Sequence, residues 1–217
     1  MAEPIVFGGA YSVYVRTVRL ILEEKGVGYR LDEIDVFAPS GPPRDYIEQR
    51  HPFGRIPAFE HDGFRLYETG AITRYVDAAF AGRPLQPADP RACARMNQVI
   101  GVLDNYAYRP LVWDIFVERV RASAQGRQPD EARIAAALPQ AEKCLRALIA
   151  LMGDGPYLVG RDLTLADLYA APMLIYFRMA AEGAALLRQA PVLEAWLARI
   201  DRRTSTHATR SPLERPA

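Results

Sequence analysis

Ser12 stands just before a run in which Tyr14, Val18, Ile21 and Leu22 recur at helical spacing, the place of an N-cap. Its hydroxyl and the positive end of the helix macrodipole together favour an anion there. Tyr11 offers a second hydroxyl on the adjoining loop, whereas Tyr14 repeats with the apolar face and reads as core. Glu68-Thr69 precedes another apolar helical run, and Thr69 reads as its N-cap, with following N–H groups that suit an incoming carboxylate. Between these two points lies Pro52-Phe53-Gly54-Arg55-Ile56-Pro57-Ala58. Pro57 taken alone starts a strand after a loop. A cis Ile56–Pro57 bond would instead turn the Ile56 backbone outward, where an extended peptide could pair with it. Arg44 and Arg55 can each grip a carboxylate through two parallel hydrogen bonds, although an exposed Arg is by default solvated.

Other chemistries lack their residues. His51, His61 and His207 share no ligand spacing and no Cys or acidic cluster completes a set, so no metal is expected. Cys93 and Cys144 stand 51 positions apart and read as unpaired, unreactive thiols. Neither a glycine-rich phosphate loop nor a Gly-x-Ser-x-Gly elbow occurs.

The elements that must position these residues alternate in the first 80 positions. Ile5-Val6-Phe7 closed by Gly8-Gly9 reads as a buried strand, followed by a helix that ends at Gly26 and a second strand over Tyr29 to Val36. That is a βαβ unit, with a parallel pair and a right-handed crossover. A short helix around Arg44 to Arg50 follows the loop from Pro39 to Pro43. Asp62-Gly63 then predicts a type I′ hairpin within Ala58 to Tyr67, and a helix from Ala71 to Phe80 closes the unit. Residues 81–89 form a linker, and residues 90–203 form an all-helical domain of four or five helices, with breaks near Gln125 to Pro129, Gly153 to Pro156, Gly160 and Ala190-Pro191. Within it, Thr164-x-x-Asp167 is a capping-box variant with Leu163 and Leu168 placed as a staple. Tyr106, Tyr108, Arg109, Trp113 and Phe116 crowd one helical stretch, where packing and pocket lining both remain open. Residues 204–217 are polar and read as a frayed tail.

The residues Ser12, His51 to Phe59 and Tyr67 to Ile72 resemble those of the cytosolic glutathione S-transferases, of a Ser-type, bacterial-like kind. The resemblance covers nearly the whole chain. It implies a thioredoxin-like N-terminal domain (1–80) that holds glutathione as co-substrate and an all-helical C-terminal domain that shapes the electrophile pocket. By that resemblance Ser12 donates to the glutathione sulfur, with Tyr11 as second choice, and Ile56 before a cis Pro57 pairs with the cysteinyl residue. Glu68 meets the ammonium group and Thr69 the γ-glutamyl carboxylate, while Arg44 or Arg55 stands in for the Lys or His that relatives place at the glycine carboxylate. Tyr106, Arg109 and Trp113 would line the electrophile pocket. A hydrogen bond to a charged partner contributes about 1.5 to 3 kcal/mol, enough to lower a thiol pKa by roughly one to two units. No general base is needed.

Composition narrows the alternatives. Half the 217 residues are hydrophobic, and 27 basic against 26 acidic side chains leave a net charge of +1, so the electrostatic term behind nonspecific nucleic-acid binding is missing. Of the basic residues 25 are Arg, scattered along the chain as genome base composition would scatter them. No readable signal peptide and no apolar run of spanning length point to the cytoplasm, without membrane or nucleic-acid partners. The expected protein is a homodimeric glutathione transferase acting on a small hydrophobic electrophile. A glutathione-dependent isomerase ranks below it, because Tyr11-Ser12-Val13 lacks the Ser-Ser-Cys cluster of maleylacetoacetate isomerases. A noncatalytic ligand-binding protein of the same fold is the rival from another class.

Overall fold

A computed structural model describes residues 2–214. The chain divides into one unit made of residues 1–85 together with 203–217, and a second made of residues 86–202. The first unit is built on a four-stranded mixed sheet of order β2-β1-β3-β4. Strand β1 (Ile5–Phe7) pairs in parallel with β2 (Arg30–Asp32) and antiparallel with β3 (Ala58–His61), which pairs antiparallel with β4 (Phe64–Tyr67). Helix α1 (Val13–Glu24) crosses over between the parallel strands, as the βαβ pattern predicts. It ends as Gly26 foretells: Gly26 has φ +65, and Val27 N–H reaches back to the Leu22 carbonyl at 2.9 Å. At the hairpin Asp62 and Gly63 both have positive φ, +50 and +77, which is the type I′ geometry. Short α2 spans Arg44–Gln49 and α3 spans Thr69–Ala79. Phe7, Tyr46 and Ala58 form a small buried cluster with Ile5, Ile34 and Ile56 packed on it, directly under the loop that carries Pro57.

Two expectations for this unit are corrected. The second strand covers only Arg30–Asp32 and not Tyr29 to Val36, because Glu33 and Asp35 turn out of the sheet to accept hydrogen bonds from Ala10 and Tyr11. The segment expected to fray is folded through residue 214: α10 spans Thr204–Ala208, a 3₁₀ turn spans Pro212–Glu214, and Ser205, Thr206, Thr209 and Ser211 are buried. Its polarity misled because hydrogen bonds and ion pairs, not apolar side chains, hold it. Residues 215–217 of that expectation lie outside the described residues.

The second unit is helical. Helix α4 (Pro90–Val102) runs into a π-type helix over Leu103–Arg121 and a last turn, α5 (Ala122–Ala124). Then come α6 (Glu131–Met152), α7 (Leu165–Met179), α8 (Ala181–Arg188) and α9 (Pro191–Asp201). The capping box is present. Asp167, fully buried, accepts from Thr164 N–H, Leu158 N–H and Trp196 Nε1–H, each at 2.8 Å, and from the Thr164 hydroxyl at 3.0 Å. Burial pushes its carboxyl above the ordinary value while those four donors pull the other way. A break without Pro or terminal Gly at its centre bends α7 and α8 by 114° at Ala180. It depends on Gly183, where a Cβ would stand 1.9 Å from the Phe177 carbonyl oxygen. Among the described residues no single helix is long and apolar enough to cross a membrane.

Candidate functional site

Ser12 is the N-cap of α1, in extended backbone at φ −76 and ψ 131. Its Oγ accepts from Val15 N–H at 3.4 Å, and its carbonyl takes Arg16 N–H at 2.9 Å, closing the first helical turn. Among the described residues nothing accepts the Ser12 hydroxyl proton. Tyr11 differs. Its hydroxyl meets Asp35 Oδ1 at 3.2 Å and its ring lies 5.9 Å from that of Phe37, so the second-choice hydroxyl is engaged where the first is open. Two glycines permit this crowding. A Cβ on Gly9 would stand 2.4 Å from the Tyr11 ring, and one on Gly8 (φ +145) would meet Val15 at 2.5 Å and Ile56 at 3.0 Å. Gly8 therefore lets the first turn of α1 approach the Ile56 loop.

In that loop the Ile56–Pro57 bond is cis. Tyr46, buried beneath it, donates its hydroxyl proton to the Arg55 carbonyl at 2.6 Å, and burial pushes that phenol above its ordinary range. Among the described residues the Ile56 N–H and C=O have no hydrogen-bond partner within the protein. Both face the role of an unpaired strand edge.

The start of α3 corrects the reading of Thr69. The N-cap is Glu68, at φ +70 and ψ 116, and Thr69 is already the first helical residue, with no side-chain cap. A non-glycine residue in that region costs about 1 to 3 kcal/mol and such residues gather at functional sites. Ala71 N–H and Ile72 N–H both reach the Glu68 carbonyl, each at 3.0 Å, and, as at any helix start, the first two N–H groups, those of Thr69 and Gly70, are without an acceptor among the described residues. Glu68 itself is exposed and has no ion pair among them.

His51 ties these parts together, a part that neither metal spacing nor its place at the start of the segment His51 to Phe59 assigns to it. Its ring is buried 4.9 Å from Tyr67, the residue before Glu68, and 6.2 Å from Phe53. Burial pushes its pKa below the ordinary value, with the Glu68 charge opposing and the Arg55 charge assisting, so both charged groups stand near it. Its Nδ1 is buried without a hydrogen-bond partner. The signal available in sequence was its place at the head of Pro52-Phe53-Gly54. Of the two arginines, Arg44 is committed to Glu48 at 2.7 Å one turn along α2, whereas Arg55 is exposed and has no carboxylate partner among the described residues.

In the helical unit, Tyr106 and Arg109 line one open groove of about 660 Å³ between the π-type helix and α6, together with Pro110, Ala137 and Gln140. Arg109 is exposed and paired with Asp114 at 2.9 Å, and Asp114 in turn holds Arg133. Trp113 does not line that groove. An offset of seven residues returns to the same face of an α-helix, but the wider i→i+5 winding carries it away. Cys144 donates to the Tyr106 carbonyl at 3.3 Å and burial raises its pKa, which keeps it a thiol.

Comparison with known proteins gives a consistent family. Residues 6–84 match the family model for the N-terminal domain of glutathione S-transferase, and residues 131–199 match that for its C-terminal domain. A glutathione S-transferase from Hyoscyamus muticus is 31% identical over 195 residues, covering 89% of this chain and 91% of that protein. One from Arabidopsis thaliana is 30% identical over 198 residues, covering 89% of each. Among solved structures, glutathione S-transferase III in apo form aligns with TM-score 0.83 and 28% identity over 100% of this chain and 99% of that one. A theta class glutathione S-transferase from the citrus canker pathogen Xanthomonas axonopodis pv. citri, with glutathione bound, aligns with TM-score 0.82 and 28% identity over 96% and 97%.

Proposed function

The chain belongs to the glutathione S-transferase family, and on that premise we propose that it is a Ser-type enzyme conjugating glutathione to small hydrophobic electrophiles. The observation that carries this reading is the Ser12 hydroxyl: its oxygen is held by Val15 N–H while its proton has no acceptor among the described residues. Such a hydroxyl donates to a thiolate at the positive end of α1. The glutathione thiol gives its proton to solvent, the thiolate attacks the electrophilic carbon, a C–S bond forms, and a leaving group such as halide departs with the electron pair of its bond. Ser12 keeps its proton throughout, so it stabilises the anion and is not a base.

The remaining residues of the first unit suit the tripeptide. The Ile56 N–H and C=O suit the backbone of the cysteinyl residue as an added strand. Glu68 suits the ammonium group, and the open N–H groups of Thr69 and Gly70 suit the γ-glutamyl carboxylate. For the glycine carboxylate we favour Arg55 over Arg44, because Arg44 already has Glu48. Tyr106 and Arg109 are the pocket-lining residues we retain from the helical unit. The curated relatives quoted above are plant proteins and lend no support to a bacterial-like placing, so the Ser-type part of the reading rests on Ser12 itself. Homodimerisation, a cytoplasmic address and a detoxifying role are part of the same proposal.

The test is retention on immobilised glutathione followed by turnover of a generic aryl halide. Retention with turnover supports the transferase, retention without turnover favours a ligand-binding protein, and failure to be retained removes the glutathione reading.

A further inference from the structure

The segment 203–214 buries Ser205, Thr206, Thr209 and Ser211 while offering little apolar surface, so something other than hydrophobic burial must hold it. What holds it is α1. Arg16, Leu20 and Glu24 recur every four residues and make one stripe along that helix. At one end of the stripe Arg16 is fully buried, a state that arginine tolerates only when paired. Its Nη1 donates to Glu214 at 2.5 Å, its Nε to the Thr209 hydroxyl oxygen at 3.5 Å, and its Nη2 to the Thr206 carbonyl at 3.3 Å. Glu214 is itself fixed by Ser211 N–H at 3.0 Å, and Thr209 by its hydroxyl bond to the Ser205 carbonyl at 2.8 Å. At the other end Glu24 receives Arg203 through two bonds of 2.6 Å and the Ser205 hydroxyl at 2.5 Å. Arg19 adds a bond to the Ala208 carbonyl at 3.4 Å.

Arg16 is also the residue whose backbone N–H closes the first turn of α1 on the Ser12 carbonyl, at 2.9 Å. Its side chain is locked by the distant segment and its main chain by the proposed thiolate donor. We propose that segment 203–214 is a clasp that positions the first turn of α1, acting through Arg16 on Ser12. This rests on the reading of Ser12 as the thiolate-stabilising residue. Arg16 is a positioning residue: when Glu214 is removed its buried charge loses the Glu214 carboxylate, the guanidinium shifts toward water, and the turn carrying Ser12 shifts with it.

The experiment titrates the thiolate absorbance of bound glutathione against pH, and measures kcat and KM with an aryl halide, in full-length wild type, Glu214→Ala, Glu214→Gln, Ser12→Ala and the Ser12→Ala/Glu214→Ala pair. The clasp predicts that Glu214→Ala raises the bound thiol pKa and lowers kcat by about tenfold while KM for glutathione stays within about twofold. Glu214→Gln, which keeps the acceptor oxygen, recovers most of the loss. In the Ser12→Ala background the second change adds nothing, because the route through Ser12 is gone. A wild-type thiol pKa and kcat in folded Glu214→Ala, or an effect that persists in full without Ser12, overturns the clasp. The Ser12→Ala arm alone judges the underlying reading: if it leaves the thiol pKa at the wild-type value, that reading fails and the clasp with it. Should Glu214→Ala not fold, Thr209→Val, which removes the Nε partner and keeps Glu214, is read against the same two criteria.

Discussion

The helix starts at α7 and α3 solve the same problem in opposite ways. At α7 the cap is a buried network: Asp167 gathers four donors, the Thr164 side chain and main chain are both used, and the Asp167 and Leu168 N–H groups reach the Thr164 carbonyl at 3.1 and 3.4 Å. At α3 the cap residue Glu68 sits in a left-handed conformation that α7 avoids, its carboxylate is unpaired among the described residues, and the Thr69 and Gly70 N–H groups are left open. A buried cap whose carboxylate gathers four donors serves stability, whereas an exposed cap whose carboxylate stays unpaired, held at a conformational cost of about 1 to 3 kcal/mol, suits a ligand. Ser12 at α1 belongs with the second kind: one lone pair is used and, among the described residues, nothing accepts its proton.

The contrast can be broken by substitution. The largest effect is expected at α7, where Asp167→Ala strands the buried Leu158 N–H, Thr164 N–H and Trp196 Nε1–H; each unsatisfied donor costs about 1 to 3 kcal/mol, so chemical denaturation should register a loss of at least about 3 kcal/mol. Glutathione affinity per folded molecule should not change. If the α7 cap proves dispensable, the distinction between the two ends collapses. At α3 the expectation reverses sign: Glu68→Gly relieves the positive φ and should raise stability by up to about 1 kcal/mol while weakening glutathione binding, read by denaturation and calorimetry on one sample. A variant that binds glutathione as wild type does would make the open cap a structural accident.

Smaller still is a pH effect in the first unit. Burial leaves His51 below its ordinary pKa of 6.5, so the folded state binds its proton less readily than the unfolded chain. That contribution to stability is present above about pH 6.5 and is lost as pH falls toward the folded value. Glu24 acts in a lower window. Burial alone would raise its carboxyl, but the Arg203 and Ser205 hydrogen bonds outweigh burial and hold it below 4.5, so its contribution is lost as pH falls below that value. Melting temperature against pH should therefore decline in two steps, with Glu24→Gln shrinking the lower, to which Glu118, Glu131 and Glu182 also contribute, and His51→Gln removing the upper. A single step retained in both variants would reject the assignment.

The parts legible in sequence were those written by local chemistry. Asp62-Gly63 can hardly do anything but turn, Gly26 ends a helix, and Thr164 with Asp167 three positions on starts one. The rest depends on residues far apart. Nothing local says that a Thr- and Ser-rich segment near position 209 will fold onto Arg16, nor that Glu33 and Asp35 will leave the sheet to hold Ala10 and Tyr11. Glu68 as N-cap was invisible because glutamate has no preference for positive φ, so propensity pointed one residue onward to Thr69. Trp113 shares one crowded helical stretch with Tyr106 and Arg109, and nothing in that crowding shows that a π-type winding over Leu103–Arg121 leaves Trp113 off the groove the other two line.

The central claim is that Ser12 donates its free proton to the glutathione sulfur. Ultraviolet titration of bound glutathione in wild type and Ser12→Ala tests it most directly. A bound thiol pKa about one to two units below the free value of about 8.5, returning toward it in Ser12→Ala, is the predicted result. A pKa equally depressed in both proteins would contradict the account and assign the stabilisation to another donor.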